Sequence, residues 1–255
     1  MKQALNILTN EQIDSYNKNG YLVLRNVFSE AEAKVMQLEC DRLLTPSPYV
    51  DPYNARVAYR TYAQGQKIEK LDPVHDISPV LTALVRDERI LAPLRDIYMD
   101  EPLLFKDKLI FKLPGTNGYT MHQDAAYWQV FPMEGLISVM VAIDGATKEN
   151  GGLELFPGYH DRFRSEPGAL RNMNAKEISE IDLSTGELVE TNPGDIILFH
   201  SFTPHQSGPN LSDVSRKQLY LTYSPSKNGQ LYNAHYQHYK RYALKGKDIS
   251  QYYFL

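Results

Sequence analysis

From Leu103 onward the chain reads as a succession of short apolar, β-branched and aromatic runs: LLFKDKLIFKL, GLISVMVAI, GLELF, ELVET, DIILFH and KQLYLTYS. Gly, Pro, Asn and Asp turn residues separate them, the punctuation expected of short strands and too frequent for helices. The first hundred residues have a different, helical character. Helices first and many strands afterwards predict an α+β protein whose core is a barrel or sandwich, and argue against alternating βαβ units.

The helical part carries its own boundary signals. Thr9 with Gln12 and Ser29 with Glu32 have capping-box spacing, and Gly20 is a natural C-terminal stop for the first helix. Residues 21–27 between them read as a strand. Residues 45–78 hold Pro46, Pro48, Pro52 and Pro73 with no sustained period, so they read as an irregular excursion of the kind that forms lids or binding loops. Helical spacing returns over residues 78–99 through Leu81, Leu84, Val85, Ile90, Leu91 and Leu94. Asp76 or Ser78 can cap it, Pro79 suits its first turn, and Pro93 is expected to kink or split it. No repeat or linker is visible. Residues 1–255 therefore read as a single domain: a helix-rich part over 1–100, a strand-rich core over 101–225, and a tyrosine-rich tail over 226–255.

Composition narrows the partners. Of 255 residues 27 are basic and 31 acidic, a net charge of −4, so no positive field exists to hold nucleic acid or an anionic membrane. A small-molecule substrate is expected, with the chain acting as a monomer or homodimer. Cys40 is the only cysteine, on what reads as an apolar helix face, which rules out an internal disulfide and fits a reducing compartment. The opening MKQALNILTNEQ lacks a signal-peptide core, and no run approaches the ~20 apolar residues of a membrane span. A cytoplasmic protein is expected.

The chemistry-bearing constellation begins at TMHQDAAYW. His122 and Asp124 are two residues apart, and on a strand such residues project from the same face. His205, in HSFTPHQSGPN, follows the run DIILFH through a turn containing Pro204, placed to bring a third ligand from the opposite side of a barrel. Two imidazoles and a carboxylate that leave other positions open form the donor set of non-haem Fe(II) oxygenases. The same three ligands also describe some Zn²⁺ or Mn²⁺ hydrolase and isomerase sites, and a non-catalytic binding module on this fold is a further alternative. Arg216 discriminates. Eleven residues after His205, it opens a strand where its guanidinium can pair with a carboxylate entering the same barrel. A 2-oxo dicarboxylate needs such a partner, whereas hydrolysis does not.

At this point the sequence resembles the phytanoyl-CoA hydroxylase family of Fe(II)/2-oxoglutarate-dependent dioxygenases, including its ectoine hydroxylase-like branch. The resemblance runs from about residue 10 to about residue 225. It is carried by GYLVLRNVFS, KDKLIFKLPG leading into HQDAAYW, ENGGLELFPGYH, PGDIILFHSFTPHQSGPN and the Arg216 strand. It implies a double-stranded β-helix (jelly-roll, cupin-like) core with N-terminal and flanking helices, Fe(II) as metal, and 2-oxoglutarate and O₂ as co-substrates. It further implies that His122, Asp124 and His205 ligate the iron and that Arg216 grips the distal carboxylate of 2-oxoglutarate. Ser207 is implied to contact the co-substrate, Trp128 to lie beside the site, and Lys108 to point toward co-substrate or substrate. Iron halogenases on this scaffold replace the carboxylate with a small residue; Asp124 retains it, which favours hydroxylation or another oxidation.

Other residues carry weaker signals. Tyr127 and Trp128 follow the metal segment directly and are expected in the pocket wall. Arg162 and Arg164 lie where a lid is expected over residues 159–190 and can meet an anionic substrate, with a plain surface role equally open. Lys106, Lys108 and Lys112 alternate along one strand, for which a solvated face is the simplest account. His160 and His200 read as structural histidines. His235 and His238 have the i, i+3 spacing of a helical metal clamp, but their polar, tyrosine-rich surroundings favour the surface. The tail tyrosines (Tyr232, Tyr236, Tyr239, Tyr242, Tyr252, Tyr253) are read as packing over the sheet or across a dimer contact.

Overall fold

The structure, a computed structural model, describes residues 7–47, 50–51, 54–62 and 65–242. Its first half contains α1 (Asn10–Asn19), β1 (Tyr21–Leu24), α2 (Glu30–Leu43), β2 (Val57–Tyr62), β3 (Gly65–Leu71), α3 (Pro79–Val85), α4 (Glu88–Tyr98) and β4 (Pro102–Lys112). Then follow β5 (Tyr119–His122), β6 (Ile137–Ala142), β7 (Leu153–Leu155), α5 (Ala175–Ile178), β8 (Glu187–Val189), β9 (Ile196–His200), β10 (His205–Ser207), β11 (Arg216–Pro225) and α6 (Tyr232–Tyr242).

The strands form two antiparallel sheets, seven-stranded in the order β1-β9-β6-β11-β4-β3-β2 and four-stranded in the order β5-β10-β7-β8. Strand alternation gives the larger sheet two faces with different tasks. Leu219, Leu221 and Tyr223 of β11, Leu109 and Phe111 of β4, Val139 and Val141 of β6 and Ile196 and Leu198 of β9 face the helices, where Met36, Leu43, Leu81, Leu84, Ile90 and Leu94 cover them. Each fully buried aliphatic side chain contributes roughly 1.5–3 kcal/mol there. The intervening residues Ile110, Met140, Ile197, Phe199 and Tyr220 face the smaller sheet and meet Leu153, Leu155 and Val189 across it. This is a double-stranded β-helix with helices on its outer face.

Both capping boxes form as the sequence requires, Thr9 with Gln12 and Ser29 with Glu32. Gly20 caps α1 in the left-handed region at φ 79°, and a Cβ there would lie 2.4 Å from His160 Cγ, so backbone and packing both demand glycine. Two expectations are corrected. Pro93 sits inside α4 and is not the break; the helical stretch divides at Asp87, whose side chain accepts from the Arg89 N–H and starts a new helix. Residues 45–78 are not irregular throughout, because β2 and β3 pair as a hairpin and β3 joins the large sheet through Lys70 and Leu71 opposite Ile110 and Leu109 of β4. Prolines at both ends hid a hairpin whose apolar residues are sparse.

Helix α6 lies on β4. Tyr232 donates to Asp107 Oδ1 at 2.8 Å and Tyr236 to Asp72 Oδ1 at 3.0 Å, which supports the expectation that the tail covers the sheet. Tyr252 and Tyr253 lie outside the described residues.

Candidate metal centre and its cavity

His122 is the last residue of β5 and His205 the first of β10, and the two are direct partners across the ladder. The third ligand position therefore comes from the adjacent strand of the same sheet, not from the opposite side of the barrel as expected. The hairpin-like return through Thr203 and Pro204 is short enough to bring His205 alongside. Nor is Asp124 on the strand itself: it begins a 3₁₀ turn over Asp124–Tyr127. Gln123 remains extended between them, so the same-side relation of His122 and Asp124 survives. Gln123 is pinned, its amide donating to the carbonyls of Phe202 and Arg162 and its oxygen accepting from the Arg164 N–H.

One ligand atom from each of His122, Asp124 and His205 lies within 4.8 Å of the others. The Nδ1 of each histidine faces the carbonyl two residues before it, Thr120 or Thr203, at 2.9 Å. Each Nδ1–H is thereby committed, and both Nε2 lone pairs are presented to the site. Burial, then the neighbouring His205, drives His122 down to about 3, and burial likewise lowers His205. Burial opposes ionisation of Asp124, but Lys108 and the two imidazoles outweigh it and hold the carboxyl at about 2. Asp124 Oδ2 also accepts from Ser138 Oγ at 3.1 Å. Two neutral imidazoles and one ionised carboxylate, each already oriented by a hydrogen bond, fit a divalent cation.

The three groups open into a cavity of about 500 Å³ between the sheets. The large sheet faces them with Lys106, Lys108, Ile110, Arg216 and Tyr220. Arg216 is 2% exposed. Its Nη1 donates to Gln218 Oε1, which also accepts from Tyr220 Oη at 2.9 Å. Among the described residues its Nε has no hydrogen-bond partner. A buried guanidinium with an unsatisfied donor is costly unless an anion completes it, so the arrangement fits a carboxylate ligand. Ser207 lines the same region, its Oγ accepting from Lys112 Nζ at 2.8 Å and from the Tyr119 N–H at 3.3 Å, which leaves its own O–H to donate. Gly151 lets this corner close: a Cβ on it would lie 2.9 Å from Lys112 Nζ and 2.4 Å from the Gly208 carbonyl.

The remaining expected site residues divide. Lys108, Tyr127 and Trp128 line the cavity. Lys108 Nζ is 3.9 Å from Asp124 Oδ1 and lies over the Tyr220 ring. Trp128 packs edge-on to Phe105, and Tyr127 donates to Asn172 at 2.6 Å. Arg162 and Arg164 do not reach the cavity, a correction with a simple cause. Arg162 pairs with Glu180 at 2.9 Å, while Arg164 is bound to Asp161 at 2.6 Å and to the Tyr159 carbonyl, so both guanidinia are turned to partners in their own loop, with only Arg164 Nε left without one among the described residues. The solvated reading of the β4 lysines also fails, since Lys106 and Lys112 are 7% and 2% exposed. His200 is structural as expected, donating to the Glu134 carbonyl and accepting from the Phe202 N–H.

Sequence reasoning missed Lys70, Asp72, His235 and Tyr239, all of which line the cavity. His235 is buried at 4% exposure, not on the surface. Its only signal was the helical spacing with His238; the apolar residues that bury it, Phe105 and Phe131, are over a hundred positions away.

A double-stranded β-helix carrying two histidines and a carboxylate that face a cavity between its sheets is the architecture of a non-haem iron oxygenase. The family model described as phytanoyl-CoA dioxygenase matches residues 16–218, and the chain belongs to this family of Fe(II)- and 2-oxoglutarate-dependent oxygenases. Relatives include a methylphosphonate hydroxylase of Gimesia maris, 29% identical over 92% of this chain and 87% of that protein. A 2-aminoethylphosphonate dioxygenase of an uncultured bacterium is 26% identical over 89% of this chain and 85% of that protein. Among solved structures, EctD from S. alaskensis with 2-oxoglutarate and 5-hydroxyectoine superposes with a TM-score of 0.74 at 23% identity, covering 89% of this chain and 79% of that one. Among the described residues no helix is long and apolar enough to cross a membrane.

Proposed function

We propose that this chain, acting as one catalytic domain, hydroxylates a C–H bond of a small acidic metabolite, with organophosphonates the first compounds to test. His122 and His205 would bind Fe(II) through Nε2 and Asp124 through its carboxylate, with Arg216 and Ser207 holding the distal carboxylate of 2-oxoglutarate. Bound Fe(II) supplies the oxidation of the C–H bond by O₂, coupled to conversion of 2-oxoglutarate into succinate and CO₂. The observation that carries the reading is the pairing, in one cavity, of the triad with a buried guanidinium that lacks an anion. The phosphonate relatives motivate the substrate class.

The chain's own residues position and exclude. The carbonyls of Thr120 and Thr203 set the tautomers, and Ser138, itself hydrogen-bonded to Thr222 at 3.0 Å, steadies Asp124. Gln218 and Tyr220 fix the plane of Arg216, so that one edge of the guanidinium remains for the co-substrate. Trp128 and Tyr220, both buried, wall the space beside the triad and exclude water from the reacting C–H bond, while Tyr127 stands at the exposed rim.

The test supplies Fe(II), 2-oxoglutarate and O₂ with methylphosphonate, 2-aminoethylphosphonate or ectoine, and follows succinate with the gain of one oxygen atom in the substrate. Phosphonate-dependent succinate is expected. Iron-loaded protein that fails to bind 2-oxoglutarate would overturn the oxygenase reading, whereas turnover with ectoine and with neither phosphonate would overturn the organophosphonate class.

A further inference from the structure

Along β4 the cavity has two ends. Lys112 pairs with Arg216 in the ladder and Lys106 with Thr222, six residues away, or roughly 20 Å along a strand. The Arg216 end is accounted for by a dicarboxylate co-substrate. The Lys106 end lies where β3, β4 and α6 meet, and it is built from charge. Lys106 Nζ contacts both oxygens of Asp72, and Lys70 Nζ approaches the same carboxylate at 3.6 Å. Lys106 is buried, while the Lys70 side chain is 30% exposed and stands at the rim; two ammonium groups facing one carboxylate leave one positive charge on this wall. Tyr236 Oη lies 3.0 Å from Asp72 Oδ1 and 2.9 Å from the Asp107 carbonyl, and each lysine retains N–H groups beyond those that face Asp72.

His235 faces this cluster from α6. It is buried, it lines the cavity, and among the described residues neither of its ring nitrogens has a hydrogen-bond partner. Burial, then Lys106, keeps it neutral, so it offers one N–H. An imidazole left so inside a protein is destabilising, a cost that a ligand at this spot removes. The rings of Phe105, Phe131, Tyr236 and Tyr239 around it leave the cavity as the direction from which a partner can come.

We infer that this end of the cavity is the subsite for the substrate's acidic head group, a tetrahedral oxyanion of the phosphonate or phosphate kind, held by Lys70, Lys106 and His235. Donors arriving from three elements suit three oxygens in different directions better than the planar fork of a carboxylate, which Arg216 serves at the other end. With the head group there, the neighbouring carbon lies on the triad side, because Lys108 and Tyr220 next along the ladder face Asp124. The inference rests on the oxygenase reading for its choice of substrate, but its test does not require turnover.

The test is calorimetric titration with methylphosphonate, inorganic phosphate and the neutral dimethyl methylphosphonate. It is run anaerobically on protein loaded with Fe(II) and 2-oxoglutarate, so that Arg216 is already engaged, and repeated on metal-free protein in case loading fails. Both anions are expected to bind and the neutral diester not. His235→Phe should weaken the anions by about tenfold or more, His235→Gln, which keeps a donor, should recover most of that loss, and 2-oxoglutarate affinity should stay within about twofold in both. Absence of anion binding, equal binding of the diester, unchanged anion affinity in His235→Phe, or a parallel loss of 2-oxoglutarate would each overturn the assignment. Failure to load iron and co-substrate while anions still bind would count against the oxygenase reading alone.

Discussion

The two ends of the cavity solve the burial of polar groups in opposite ways. At the metal end every ligand is oriented by a partner close in sequence or in the next strand: Thr120 for His122, Thr203 for His205, Ser138 for Asp124. At the α6 end the groups come from β3, β4 and a helix more than a hundred residues later, and among the described residues His235 has no hydrogen-bond partner. The first end is preorganised for one ion whatever the substrate. The second is incomplete until a ligand arrives, and so is the place where substrates can be told apart.

Four changes would break or sharpen that contrast. The largest effect is expected from Asp124→Ala or His205→Ala, which should abolish substrate-dependent succinate formation; full activity in either variant would remove the triad from the mechanism. Next, Asp72→Ala strands the buried Lys106 and should lower stability to denaturant by about 3–5 kcal/mol, while binding of iron by the folded protein stays intact. A loss of iron binding from that folded variant would show the two ends to be one unit. Arg216→Met should raise KM for 2-oxoglutarate by on the order of a hundredfold with far less change in the affinity for methylphosphonate. Equal changes in both would put the two anions at the same end. The smallest effect is that of Ser138→Ala, which removes one hydrogen bond to Asp124 and should weaken iron by about 10- to 100-fold, read by competition with a chelator.

Much of the metal end was legible in the chain because its geometry is local. The two-residue spacing of His122 and Asp124 survived a strand that ends two residues earlier than the pattern implies, since Gln123 stays extended. Arg216 was legible for a related reason: it opens a strand whose alternation places residues 216, 218 and 220 inward. The lysines of β4 show the limit of the same rule. Alternation correctly put Lys106, Lys108 and Lys112 on one face, but whether that face is wet depends on what covers it, and Asp72, α6 and Ser207 cover it here. Arg162 and Arg164 erred in the other direction, being satisfied by carboxylates and carbonyls of their own loop.

The sequence by itself therefore determined the strand-rich core, the capped helices, the candidate metal ligands and the guanidinium that shares their cavity, since periods of 2 and 3.6 and short-range spacings are properties of the local chain. Only the tertiary structure decided that His205 lies beside His122 in one sheet, that a hairpin extends the large sheet, and that α6 closes the cavity with His235. Those features depend on which segments meet, and the burial that turns a polar side chain into a binding group is a property of that meeting.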